Sequence, residues 1–199
     1  PTQQEFGTGT LDDVASHLYA NYPVVGLNAQ QCEMFLALLS EQKAKYNKAH
    51  GLPQVPAYRL PSAEQYTYAA RGGKELAQFP WGGPYLRDSK GKLLANFKPD
   101  RGNYGECGYV FTSPVTTFLP NNYGLYDMAG NAAAWTSTRW DDKDETCPWR
   151  VIMGGSWKDV GALLQTGEPD YELETQPRSY VGFQPVMPYV GPIPRNSKE

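Results

Sequence analysis

Apolar positions recur with helical spacing in two stretches of the chain. Cys32, Phe35, Leu36 and Leu39 follow i, i+3, i+4, i+7, the period of one helix face. Glu33, Ser40, Glu41 and Lys43 supply the polar positions around them. Asn28 stands just before the run, with Gln31 three residues on. That pair caps a helix start reciprocally, each side chain bonding the other's backbone N–H. The predicted helix fades through 45–48 and stops by Pro53. A second helix starts at Ser62, with Gln65 as its reciprocal cap, and ends at Gly72 and Gly73. Tyr66, Ala69 and Ala70 make its inner face. Arg71 lies in the last turn, where the helix dipole favours a cation.

Elsewhere the pattern is weaker. Residues 22–27 read as a buried strand or extended segment, and 113–118 as strand-like, with alternation at Val115 and Thr117. A charged, hairpin-like loop at 139–149 leads into a strand at 150–153. A short irregular or helical piece at 160–166 and a closing strand at 179–184 complete the set. Residues 1–21 read as an arm holding a short helix at 11–19, 74–120 as an extended excursion, and 191–199 as an extended tail.

Two segments fit neither period. The stretch from Asn121 to Thr136 holds Gly124 and Gly130; the stretch from Arg150 to Trp157 holds Gly154 and Gly155. Asp127 and Asn131 are short polar side chains suited to bonding nearby backbone. Tyr126, Trp135 and Trp157 add large apolar area with one polar edge each. The expectation is a looped core held by Asn131, Trp135, Gly154, Gly155, Ser156 and Trp157.

Composition sharpens the class. With 20 Gly, 17 Pro, 14 Tyr and 5 Trp in 199 residues, a loop-rich, aromatic-packed α+β domain is favoured over a bundle or a doubly wound sheet. A net charge of -3 gives no footprint for nucleic acid, and no apolar run reaches membrane-spanning length. No signal peptide opens the chain, and Pro1 is not an initiator Met, so a processed or trimmed chain is expected. Cys32, Cys107 and Cys147 make an odd number, with no C-x-x-C and with His17 and His50 far from any cysteine. A zinc site is not expected. One disulfide among the three stays open, and Cys32 reads as a small buried hydrophobe. Ser156 reads as a turn serine. The carboxylates at 141–145 and 168–174 read as solvated faces.

The motif N-x-Y-G-L-Y-D-M-A-G-N-x-x-x-W-T at 121–136, followed by R-V-x-x-G-G-S-W at 150–157, resembles the formylglycine-generating-enzyme (sulfatase-modifying-factor) domain. Stretches 59–73, 79–83 and 178–183 extend the likeness over about 22–190, without the family's leading strand. The resemblance implies an irregular fold related to C-type lectins. It also implies two cysteines three and eight residues after the Gly-Gly-Ser serine, acting with copper and oxygen. Those positions are Asp159 and Leu164, so no catalytic residue and no enzyme activity are expected. The family's first calcium corner matches Asp127, Gly130 and Ala132, but its Glu position is Ala134. The second matches Asn96 and Phe97, with Cys107 in the acidic position. Each has lost a carboxylate, so calcium is expected to be weak or absent, Asp127 being the remaining candidate.

Trp-Lys-Asp at 157–159, with 81–85, 94–104 and 170–172, is similar to the GldK/PorK branch of the type IX secretion and gliding machinery. That likeness implies a non-catalytic ring subunit at the periplasmic face of the outer membrane. It implies a GldN/PorN-like partner and a lipid anchor that this chain lacks. Arg87, Arg101, Asp170 and Glu172 are its candidate interface residues. A ligand- or glycan-binding module on a lectin-like scaffold is the second reading; an enzyme of another kind is the third.

Overall fold

The computed structural model describes residues 19–99, 105–144, 146–188 and 191. Residues 11–18 of the expected helix at 11–19, Arg101, and all of the tail except residue 191 lie outside them.

Local capping builds both helices. Helix α1 spans Ala29–Ala49. Asn28 Oδ1 accepts from the Gln31 N–H at 2.8 Å, and Gln31 Oε1 accepts from the Asn28 N–H at 2.9 Å. Helix α2 spans Ala63–Arg71, with the same box between Ser62 and Gln65 and a left-handed Gly72 at its end. Ser40 ties α1 to the segment leading into α2: its hydroxyl donates to the Leu36 carbonyl and accepts from the Tyr58 N–H.

Four strands make one sheet: β1 (Ala133–Arg139), β2 (Trp149–Met153), β3 (Pro169–Leu173) and β4 (Val181–Gly182). Their order is β3-β2-β1-β4. The first three are antiparallel neighbours, and β4 runs parallel to β1. Helix α1 lies on one face, where Ala29, Cys32 and Leu36 pack with Trp135, Ile152 and Val181. Helix α2 lies on the other, where Tyr66 and Ala70 pack with Ala134, Val151 and Met153. A third cluster, Phe79, Leu93, Ala95, Phe97, Ala129 and Leu164, sits under the excursion.

This sandwich explains where the sequence pattern misleads. The start of β1 is buried on both faces, so Ala-Ala-Trp-Thr shows no alternation and reads as loop although it is a central strand. The acidic segment expected to be solvated forms β3, which pairs with β2 in the register Val151↔Tyr171. The 113–118 stretch is a turn: Thr116 has φ 71° and the Thr117 hydroxyl donates to the Pro114 carbonyl. Pro114 has no N–H to give a ladder. Residues 22–27 are extended outside any strand, with the Gly26 N–H bonded to the Arg178 carbonyl. On α1, Phe35 and Leu39 stay 48% and 37% exposed. Only one residue per turn reaches the sheet there, and Phe35 meets Phe183 edge-on at 5.7 Å instead. The piece after Val160 is a 3₁₀ helix, Gly161–Leu164. All three cysteines are free thiols.

Candidate functional site

Asn131 is the hub of the segment between α2 and β1. It is 1% exposed and holds a left-handed backbone, φ 65°, which asparagine tolerates better than most residues. Its Oδ1 accepts from the Ser113 N–H at 2.8 Å, and its Nδ2 donates to the Ser113 carbonyl and to Asp127 Oδ2. Its backbone N–H donates to the Asn96 carbonyl at 2.7 Å, and its carbonyl accepts from the Trp157 N–H. One residue thus joins four chain segments. Gly130 beside it allows the Asn96 carbonyl in: a Cβ there would lie 2.5 Å from that oxygen. Trp135 is wholly buried, with its indole N–H donated to the Leu27 carbonyl at 3.0 Å. Trp157 is half-buried edge-on against Phe111, and its indole nitrogen is buried without a partner.

Asp159 and Leu164, which the resemblance leads one to expect at the family's two cysteine positions, both have structural partners. Ser156 is fully buried, and its hydroxyl donates to Asp159 Oδ2 at 2.6 Å. Lys158 Nζ donates to the other oxygen at 2.7 Å. Asp159 thereby fastens the turn after Gly154 and Gly155. Leu164 is 1% exposed within the third cluster. Among the thiols present, burial pushes Cys32 up to about 12, aided by the nearby Glu33 charge. Burial also raises Cys107. Both stay protonated at neutral pH, and the thiolate is the reactive form.

Neither of the two calcium corners expected from the resemblance offers a fitting donor set among the described residues. Asp127 lines a cavity of about 180 Å³ whose other walls include Pro23, Val24, Val115, Ala132, Ala134 and Phe183. One carboxylate with the amide side chains of Asn131 and Gln184 supplies a single anionic group, short of the six to eight oxygens and the charge that calcium takes. Burial raises the Asp127 carboxyl above its ordinary value, against the bonds it accepts from Asn131 and the Thr116 backbone. At the second corner the Cys107 thiol lies 3.2 Å from Asn96 Oδ1 and 3.4 Å from the Tyr109 carbonyl. A thiol proton bridges two oxygens where a cation would be needed. Among the described residues no group of three His, Cys, Asp or Glu side chains could hold a metal.

The charged interface candidates lie apart from this hub. Arg87 makes a bidentate pair with Glu106 in the excursion, which holds the Glu106 carboxyl below its ordinary value. Asp170 Oδ1 accepts from the next backbone N–H, that of Tyr171. Glu172 accepts from Arg178 Nε at 3.0 Å and from the Tyr180 hydroxyl. One important residue escapes the sequence reading. Arg150 is buried, with Nη1 2.5 Å from Glu33 and Nη2 2.8 Å from Glu174. Burial works against its charge, but the bonds from the two carboxylates outweigh it and raise its pKa. An arginine heading the apolar run Val-Ile-Met is the signal that could have marked it.

The profile of the sulfatase-modifying factor enzyme 1-like domain matches residues 3–187. Inactive C-alpha-formylglycine-generating enzyme 2 of Bos taurus is 37% identical over 103 residues, 51% of this chain and 33% of that protein. The formylglycine-generating enzyme of Mus musculus is 41% identical over 85 residues, 41% of this chain and 22% of that protein. The chain thus spans a third or less of these two relatives. The structure of PvdO from Pseudomonas aeruginosa superposes with a TM-score of 0.64 at 25% identity, covering 84% of this chain and 62% of that one. Two helices about a small mixed sheet, the Asn131 hub and these likenesses agree: the chain belongs to the formylglycine-generating-enzyme family, as a sulfatase-modifying factor enzyme 1-like domain.

Proposed function

We propose that this domain is a non-catalytic member of the family that acts through its surfaces, as a structural subunit of an envelope assembly. The observation that carries the reading is the fate of the two cysteine positions. Asp159 is bonded to Ser156 and Lys158, and Leu164 fills the core. Neither can act as a redox thiol. A named relative, itself called inactive, supports a fold kept without its chemistry.

The assembly we favour is the type IX secretion and gliding machinery, on the Trp157-Lys-Asp159 likeness to GldK/PorK. The domain would sit in a homo-oligomeric ring at the periplasmic face of the outer membrane, beside a GldN/PorN-like partner. Arg87, Asp170 and Glu172 would then face that partner, along with Arg101. Charged side chains at an interface rim set orientation and on-rate more than affinity. Incubation with copper and a Cys-x-Pro-x-Arg peptide should yield no aldehyde. Purification from the native envelope should give ring-sized particles, and Asp170→Lys should weaken partner recovery at an unchanged melting temperature. Aldehyde formation would sink the non-catalytic reading, and a lone monomer would sink the assembly. A ligand-binding module is the second reading, favoured by a cavity between α2 and the chain entering β3.

A further inference from the structure

A cavity of about 410 Å³ opens between α2 and the chain entering β3. Glu64, Thr67 and Arg71 follow i, i+3, i+7 on α2 and form one wall, as residues at that spacing share a helix face. Met153 ends β2 and Pro169 begins β3; the two are register partners and form the apolar wall. Gly167 closes the third side. A Cβ on it would lie 3.4 Å from Thr67 Cγ2 and 3.8 Å from Arg71 Nη2, so the bare backbone comes close to the guanidinium.

The Arg71 side chain has no hydrogen bond and no ion pair among the described residues, and its Nε is buried without a partner. The Thr166 hydroxyl, one residue before Gly167, is also buried and unpartnered. The Thr67 hydroxyl is already committed to the Ala63 carbonyl. A guanidinium offers five N–H donors in a fixed fork and no acceptor. A buried donor left unmade is costly, and the fork matches a carboxylate bidentately.

We propose that this cavity is a binding site for a monocarboxylate with an apolar or aromatic body, its carboxylate held by Arg71 and its body laid against Met153, Pro169 and the exposed ring of Tyr68. Few polar groups among apolar walls is the usual composition of a small-molecule site. Arg71 is the single cation in the lining, and Glu64 stands two turns back on the same helix face, about 10.5 Å along the axis at 1.5 Å per residue. That balance disfavours a dianion and selects one negative charge. The site lies across the sheet from α1 and does not depend on the assembly reading.

The test is an NMR titration of the chain with N-acetylphenylalanine, following the Met153 methyl and the Gly167 amide. N-acetylphenylalaninamide and phenyl phosphate are the controls. The carboxylate should shift both signals, and the neutral amide should bind about tenfold more weakly, the usual worth of one charge-assisted hydrogen bond. Arg71→Gln should lose a similar factor. Thr67→Glu places a carboxylate one turn before Arg71, in the favourable i, i+4 order. It should fold, occupy the guanidinium from within, and abolish binding. Absence of shifts at saturating carboxylate, equal affinity for the amide, or tighter binding of phenyl phosphate would each overturn the assignment. If Arg71→Gln does not fold, Thr67→Glu decides: carboxylate binding that survives it sinks the proposal. None of these outcomes bears on the envelope assembly, which is read from native particles.

Discussion

Two guanidinium groups flank strand β2, and their surroundings differ. Arg150, at its start, is buried on the α1 side with a carboxylate on each Nη: Glu33 from the helix and Glu174 just past β3. Arg71, against Met153 at its end, lines an open cavity and meets no carboxylate among the described residues. Both leave Nε buried and unpartnered, so the difference lies wholly at the Nη groups. The comparison teaches that a buried cation matched within the fold fastens elements together. A cation left unmatched beside a cavity has its valence open for something else.

The largest effect should come from unmatching Arg150. Glu174→Ala leaves a buried guanidinium facing only the half-exposed Glu33, and should cost about 3–5 kcal/mol, the usual penalty for stripping one partner from a buried pair. A urea denaturation midpoint measures it, and a cost below about 1 kcal/mol would erase the contrast. Arg71→Gln removes no partner, so it should change stability by no more than about 0.5 kcal/mol. A loss above about 2 kcal/mol would mean that Arg71 is structural after all.

The smallest effect sharpens the comparison from the anionic side. Asp127, too, pairs with no cation among the described residues, and its carboxyl titrates above its ordinary 3.8 in the fold because burial disfavours the charge. The folded state therefore holds that proton more tightly than the unfolded chain does. Ionisation costs stability above the folded pKa, and the cost vanishes below 3.8. Asp127→Asn keeps a side chain that tolerates the left-handed backbone. It should raise stability at neutral pH, with the gain fading as pH falls through the raised value. A gain that does not depend on pH would point to packing instead of charge.

Much of the fold was legible because it is local. Both capping boxes join residues three apart, and the helix they start is specified by its own neighbours. The Asn131 hub showed itself through Gly130 and the tryptophans around it, although its partners Asn96 and Ser113 did not. The strand from Ala133 was hidden, since a segment buried on two faces carries no period to read. The acidic segment at 168–174 was hidden too. Asp170 bonds the adjoining Tyr171 N–H, while Glu172 and Glu174 find cations at Arg178 and Arg150, and nothing in the residues themselves announces a strand.

By itself, then, the sequence determined the helices, the glycine corners and the family. Each is a statement about residue type at a position or at short spacing. Only the tertiary structure decided which charges are satisfied. Arg150 and Arg71 are alike as residues, and what separates them is whether Glu174 or Gly167 is brought to the guanidinium. That pairing is made between segments distant in sequence, where loop paths and sheet order set the distances on which charge–charge energies depend.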